Sequence, residues 1–115
     1  MVSLVIRLQF EGWHRWKDAP EEYGYLSDVH RHMFNVTAWF TVPDMFEPHN
    51  HRHIEFIDKK REVLRWCEHT MRNASNDNDT IDWSCERWAS EICNKFGLES
   101  VEVSEDGENG ALYSA

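Results

Sequence analysis

Apolar and polar side chains alternate along the start of the chain. Val2, Leu4, Ile6, Leu8 and Phe10 share one parity, and Ser3, Arg7, Gln9 and Glu11 fall on the other. A period of two predicts a strand over residues 2–14 with one face turned inward. His14 keeps the inward parity if that strand runs on unbroken. Residues 17–27, KDAPEEYGYLS, carry Pro, Gly and charge and predict a loop. A second alternating run covers residues 30–42. Its inward parity holds Phe34, Val36, Ala38, Phe40 and Val42, headed by His30 and His32.

The period then changes. VPDMFEPHNHR breaks the alternation with two prolines. Residues 54–71 read as a helix with Phe56, Val63, Leu64, Cys67 and Met71 near one face. RNASNDNDT is a polar break rich in turn formers. A second helix begins at Asp82 or Ser84, with Cys85, Trp88, Ala89, Ile92, Cys93 and Phe96 on one stripe and Gly97 as its C-cap. ESVEVSE alternates as a third strand, DGENG is a turn, and ALYS is a short fourth strand. The order ββααββ predicts an α+β domain spanning residues 1–115.

Histidine placement raises the chemical question. If the first two strands form an antiparallel hairpin, His14 ends one and His30 begins the next. Both then share a sheet end and a face with His32. Burying imidazoles without partners is costly. Three neutral rings converging with an open fourth position suit a catalytic zinc ion, which takes nitrogen donors at about 2.0–2.1 Å. The plainer alternative is an aromatic-rich core edge with hydrogen-bonded histidines. A rival set, His49, His51 and His53, sits in the proline-flanked connection, where a solvated loop is the simpler reading. His69 stands apart near the end of the first helix.

Composition narrows the partners. With 115 residues, 41% hydrophobic and six tryptophans, the chain can bury one modest core. A formal net charge of −9 and the lack of a Lys/Arg patch disfavour nucleic acid. The uncharged runs are too short to span a bilayer. The N-terminus lacks the layout of a signal peptide. Cys67, Cys85 and Cys93 lack metal-type spacing and read as reduced, buried thiols on helices, which fits a cytoplasmic protein.

Taken in order, these segments resemble the 6-pyruvoyltetrahydropterin and 6-carboxytetrahydropterin synthase family. FEGWHRW looks like its F-x-x-x-H strand, and HRHMFNVTAWF like its H-G-H-x-F/Y-x-V strand. IEFIDKKREV is similar to D-F-x-x-L-K, with Glu55 and Lys60 aligned. DWSCERWASEI is similar to P-T-S/A-E-x-L/I-A, with Glu86 and Ala89 aligned. VEVSEDGENGALY resembles V-x-V-x-E-T-x-x-x-G-x-x-Y, with Glu105, Gly110 and Tyr113 aligned. The resemblance covers nearly the whole chain.

The resemblance implies the tunnelling fold: a four-stranded antiparallel sheet with two helices on one face, assembling as a homo-oligomer, a hexamer in the family, into a barrel. It implies zinc held by His14, His30 and His32, and a pterin-like or purine-like substrate gripped by Glu105. The implied activity is a zinc-dependent lyase step on a dihydroneopterin triphosphate-type molecule, on a queuosine or deazapurine route. Three departures stand out. The family's cysteine base falls where this chain has Leu26, with Ser27 and Asp28 beside it, and none of Cys67, Cys85 and Cys93 is expected near that loop. Arg31 replaces a glycine between the histidines. Glu68 and His69 stand for an Asp-His pair. Asp28 and His69 are therefore the candidate catalytic groups. The alternative is a family member that binds or sequesters its ligand without turnover, and a plainer one is an oligomeric scaffold with no ligand.

Overall fold

The computed structural model describes residues 2–42, 54–74 and 78–115. Strand β1 spans Val2–His14 and β2 spans His30–Val42, and they pair antiparallel along their full lengths. Helix α1 is Phe56–Arg72 and α2 is Cys85–Phe96. Strands β3, Ser100–Glu105, and β4, Gly110–Ser114, close the order β1-β2-β3-β4 in one antiparallel sheet. The fold is α+β, as the alternation and the two helical stripes predicted. The rival histidines His49, His51 and His53 lie outside the described residues.

Parity decides which side of the sheet is covered. Ile6, Leu8, Phe10, Phe34, Val36, Ala38, Val101 and Val103 are buried in one cluster with Val63 and Cys67 of α1 and Trp88, Ile92 and Cys93 of α2. Each buried Val, Leu, Ile or Phe among them contributes about 1.5–3 kcal/mol by leaving water. On the opposite parity, Ser3, Arg7, Gln9, Glu11, Arg31 and Thr41 are exposed or half-exposed, except that Asn35, Thr37 and Trp39 are more covered by their neighbours.

Local chemistry sets the helix ends. The Ser84 hydroxyl accepts from the Arg87 backbone N–H at 3.1 Å and caps α2, and Gly97 ends it at φ 62° in the left-handed region. The Glu55 carboxylate caps α1 by accepting from Ile57 N–H. The first helix begins two residues later than its periodicity indicated, and Phe56 is half-exposed because it falls in the first turn, before the helix reaches the sheet.

Two 3-10 segments are additions to the sequence reading. Glu21–Ser27 coils the expected loop, and Thr80–Asp82 leads into α2. Backbone bonds fasten both beside the end of β1: Trp16 N–H donates to Leu26 O at 2.7 Å, and Arg15 N–H donates to Ile81 O at 3.0 Å. Among the described residues, no helix is long and apolar enough to cross a membrane.

A column of aromatic rings runs through the core toward the histidines. Phe10 stacks on Phe34 at 5.4 Å between centroids and tilts against Trp88 at 5.0 Å. Trp83 meets Trp88 edge-on at 4.8 Å. Gly12 makes room for this column: a Cβ there would stand 2.6 Å from a ring carbon of Phe34 and 3.0 Å from the Met71 sulfur. The glycine is thus required by packing in a strand whose other inward positions are large.

Candidate metal centre

The hairpin register assembles the site. His14 pairs directly with His30, and Gly12 pairs with His32, so three imidazoles on two strands meet at one sheet end. The parity argument placed them there, and the structure agrees. Their centroids lie 4.7 to 5.1 Å apart, each pair nearly edge-on. One ring nitrogen from each lies within 4.8 Å of the other two, and this is the metal-competent group among the described residues.

Each ring is oriented by an acceptor on its other nitrogen. His14 Nδ1 is 2.8 Å from the Trp83 carbonyl, His30 Nδ1 is 2.8 Å from the Asp28 carbonyl, and His32 Nδ1 is 2.7 Å from Asp106 Oδ2. A carbonyl only accepts, so the ring proton of His14 and of His30 sits on Nδ1. The Asp106 carboxylate favours the same tautomer for His32. The lone pairs that remain are those on the three Nε2 atoms, the nitrogens left to serve as ligands. An outer acceptor fixing the inner nitrogen is the usual support of a metal-ligating histidine.

The donor set fits a zinc-like ion. Tetrahedral coordination with bonds of about 2.0–2.1 Å places ligand nitrogens roughly 3.3 Å apart. One nitrogen of each ring already lies within 4.8 Å of the others, a spacing of the same order. Burial of His14, which is only 7% exposed, holds its imidazole below the ordinary histidine value and keeps it neutral, as a ligand must be.

Asp106 has no counterpart in the sequence reading, which took DGENG only as a turn. Its backbone lies at φ 56°, unusual for a residue other than glycine. The fold uses both of its carboxylate oxygens: Oδ2 accepts from His32, and Oδ1 accepts from the Met33 backbone N–H at 2.9 Å. Its own N–H donates to Met33 O at 2.7 Å. The hydrogen bond from His32 holds the Asp106 carboxyl below the usual carboxylate range. Asp106→Asn keeps the turn and removes the charge behind His32. It should weaken metal binding about 10–100-fold, as loss of such support commonly does. Competition against a chromophoric chelator reads this, and an unchanged affinity would leave Asp106 with a turn role only.

Glu105 follows β3 into the same site. Paired opposite Phe34, it is diagonal to His32. Its Oε1 lies 3.2 Å from His14 Nε2, and its Oε2 lies 3.3 Å from His32 Nε2.

A cleft of about 610 Å³ opens beside these groups, within the usual range for small-molecule sites. His14, His30 and Glu105 line it, with Trp16, Leu26, Trp83 and Cys85 among its other walls. Arg15, also in the wall, is paired to Asp82 at 2.8 Å.

The structure corrects the reading that no thiol comes near the Leu26 loop. Leu26 does line the cleft, but Cys85 lines it too, brought there by the N-terminus of α2. Burial, together with the charge of Glu105, pushes its thiol up to about 12. All three cysteines are free and buried, as the helical stripes implied.

The candidate catalytic groups fall elsewhere. Asp28 contributes its backbone carbonyl to His30, while its side chain is exposed and outside the cleft lining. His69 is exposed near the C-terminus of α1, where its Nε2 meets the Asn73 amide at 3.2 Å, and it is also outside the lining.

Fold and site together define an α+β domain with a three-histidine, metal-competent centre at the edge of a cleft. No protein-family model matches the chain. No curated protein matches it.

Proposed function

We propose that the chain is a zinc-dependent lyase of the pterin-synthase kind, acting on a dihydroneopterin triphosphate-type substrate. The observation that carries this reading is the trio of Nε2 lone pairs left free when each Nδ1 is engaged by an outer acceptor. Bound there, zinc would supply Lewis-acid polarisation of a substrate hydroxyl or carbonyl. The protein's own groups bind and orient. Glu105 offers a carboxylate to the paired N–H edge of a pterin-like or purine-like ring. Trp16 and Trp83, both in the cleft wall, offer apolar surface for a flat heterocycle. The ordered sequence segments are the second support.

Leu26 in the cleft wall favours a second reading, a protein that binds such a ligand without turning it over. A leucine cannot take a proton, and the neighbouring Cys85 thiol is held protonated against Glu105. The expected natural activity is therefore weak. The test is product formation from dihydroneopterin triphosphate in zinc-replete buffer, with and without chelator. Turnover that is slow, chelator-sensitive and raised by Leu26→Cys supports the lyase. Tight binding of the same compound with no turnover in either protein supports the binding reading. Robust turnover indifferent to chelator would exclude a zinc lyase.

The sheet edges belong to the same proposal. β1 and β4 are the outer strands of the sheet, and unpaired edges invite association. We read the active form as a cytoplasmic homo-oligomer closed through these strands, which sedimentation at micromolar protein would reveal.

A further inference from the structure

Hydrogen-bond accounting at the histidine cluster exposes a mismatch. The ring proton of His14 is committed to the Trp83 carbonyl, 2.8 Å from Nδ1. His32 commits its proton to Asp106 at 2.7 Å. A neutral imidazole has one N–H, so Nε2 of each ring carries a lone pair. Yet Glu105 presents Oε1 to His14 Nε2 at 3.2 Å and Oε2 to His32 Nε2 at 3.3 Å. An ionised carboxylate also has only lone pairs to give. Acceptors therefore face acceptors twice over, and His30 brings a third ring into the same group, with one nitrogen of each ring within 4.8 Å of the others.

Extra protons on the rings are one remedy. They would put adjacent positive charges on imidazoles about 5 Å apart, with His14 buried. A single cation held by the three histidines, with the Glu105 carboxylate beside two of them, relieves both contacts at once. Three histidines and one glutamate also complete a four-coordinate set.

We propose that, in the ligand-free protein, Glu105 is the fourth ligand of the metal centre. The inference rests on the metal reading above and sharpens it. The resemblance gives Glu105 only to the heterocycle. Here the same carboxylate closes the metal's open position at rest and must be drawn off before a substrate oxygen takes its place. Cys85 lines the same cleft as Glu105, on the side into which the carboxylate would move. Glu105 thus acts as a gate on the metal, opened by a ligand whose N–H edge competes for the carboxylate.

The test uses the full chain loaded with metal alone. Zinc affinity is measured by chelator competition in the wild type, Glu105→Gln and Glu105→Ala, with a thermal melt of each. Cobalt-loaded samples are then titrated with azide while the visible d–d bands are followed. A neutral amide is a poor ligand, so Glu105→Gln should lose about tenfold or more in zinc affinity. Azide should perturb cobalt in both variants at concentrations that leave the wild type unchanged. Equal zinc affinity and equal azide response in all three proteins would overturn the proposal and leave the three-histidine centre standing. A wild type that shows no cobalt bands would overturn the metal centre and this proposal together. If Glu105→Ala does not fold, the near-isosteric Glu105→Gln decides alone.

Discussion

His32→Ala should strip zinc from the protein while leaving the fold in place. Structural zinc sites return roughly 10–16 kcal/mol over four ligands, so one ligand carries about 3 kcal/mol, or about a hundredfold in affinity. His32 is the right member of the trio to remove. Its side chain is 20% exposed, whereas His14 is buried against Phe34 at 5.3 Å. His32 also holds the Asp106 hydrogen bond, so its loss removes a ligand and its support together. Elemental analysis after dialysis should find metal near one ion per chain in the wild type and near none in the variant. The melting curves of the metal-free proteins should nearly coincide. Full retention of zinc by His32→Ala would move the site elsewhere, with His49, His51 and His53 the first place to look.

Phe34→Ala should cost about 3–5 kcal/mol of folding stability, the usual range for emptying a large buried aromatic position. Phe34 is fully buried and stacked on Phe10, and it covers Gly12 closely enough that no Cβ would fit there. The ring also touches the site, meeting His14 edge-on at 5.3 Å and His32 at 6.1 Å. The variant should therefore lose metal affinity as well as stability, while Phe34→Leu loses less of both. Urea unfolding of the metal-free proteins separates the two effects. A loss below about 1 kcal/mol for Phe34→Ala would mean that the aromatic column carries little of the fold.

Much of this architecture was legible because two faces have two different periods. The alternation through Val2–Phe10 and Phe34–Val42 identified the inward side of β1 and β2, and with it the meeting of His14, His30 and His32. The stripe Cys85, Trp88, Ala89, Ile92 and Cys93 is buried throughout, as a helix with one apolar face requires. What escaped the sequence has a common physical cause. The Trp83 and Asp28 carbonyls orient two histidines, and a carbonyl carries no residue signature. Asp106 looked like an ordinary turn residue, because its service to His32 depends on a left-handed backbone and a partner far away in the chain. Cys85 read as a core position and is one. That it also lines the cleft with Glu105 follows from how α2 packs beside β3, which periodicity does not specify. The Glu105 spacing pointed to a pocket and not to the two imidazoles that flank it.

The most direct test of the central claim is the metal content of the wild-type chain, prepared without chelator and re-equilibrated with one equivalent of zinc at neutral pH. The account predicts one tightly held zinc per chain that survives exhaustive dialysis. A wild-type protein that emerges metal-free from that dialysis would contradict it, and the three histidines would then be a hydrogen-bonded edge of an aromatic core.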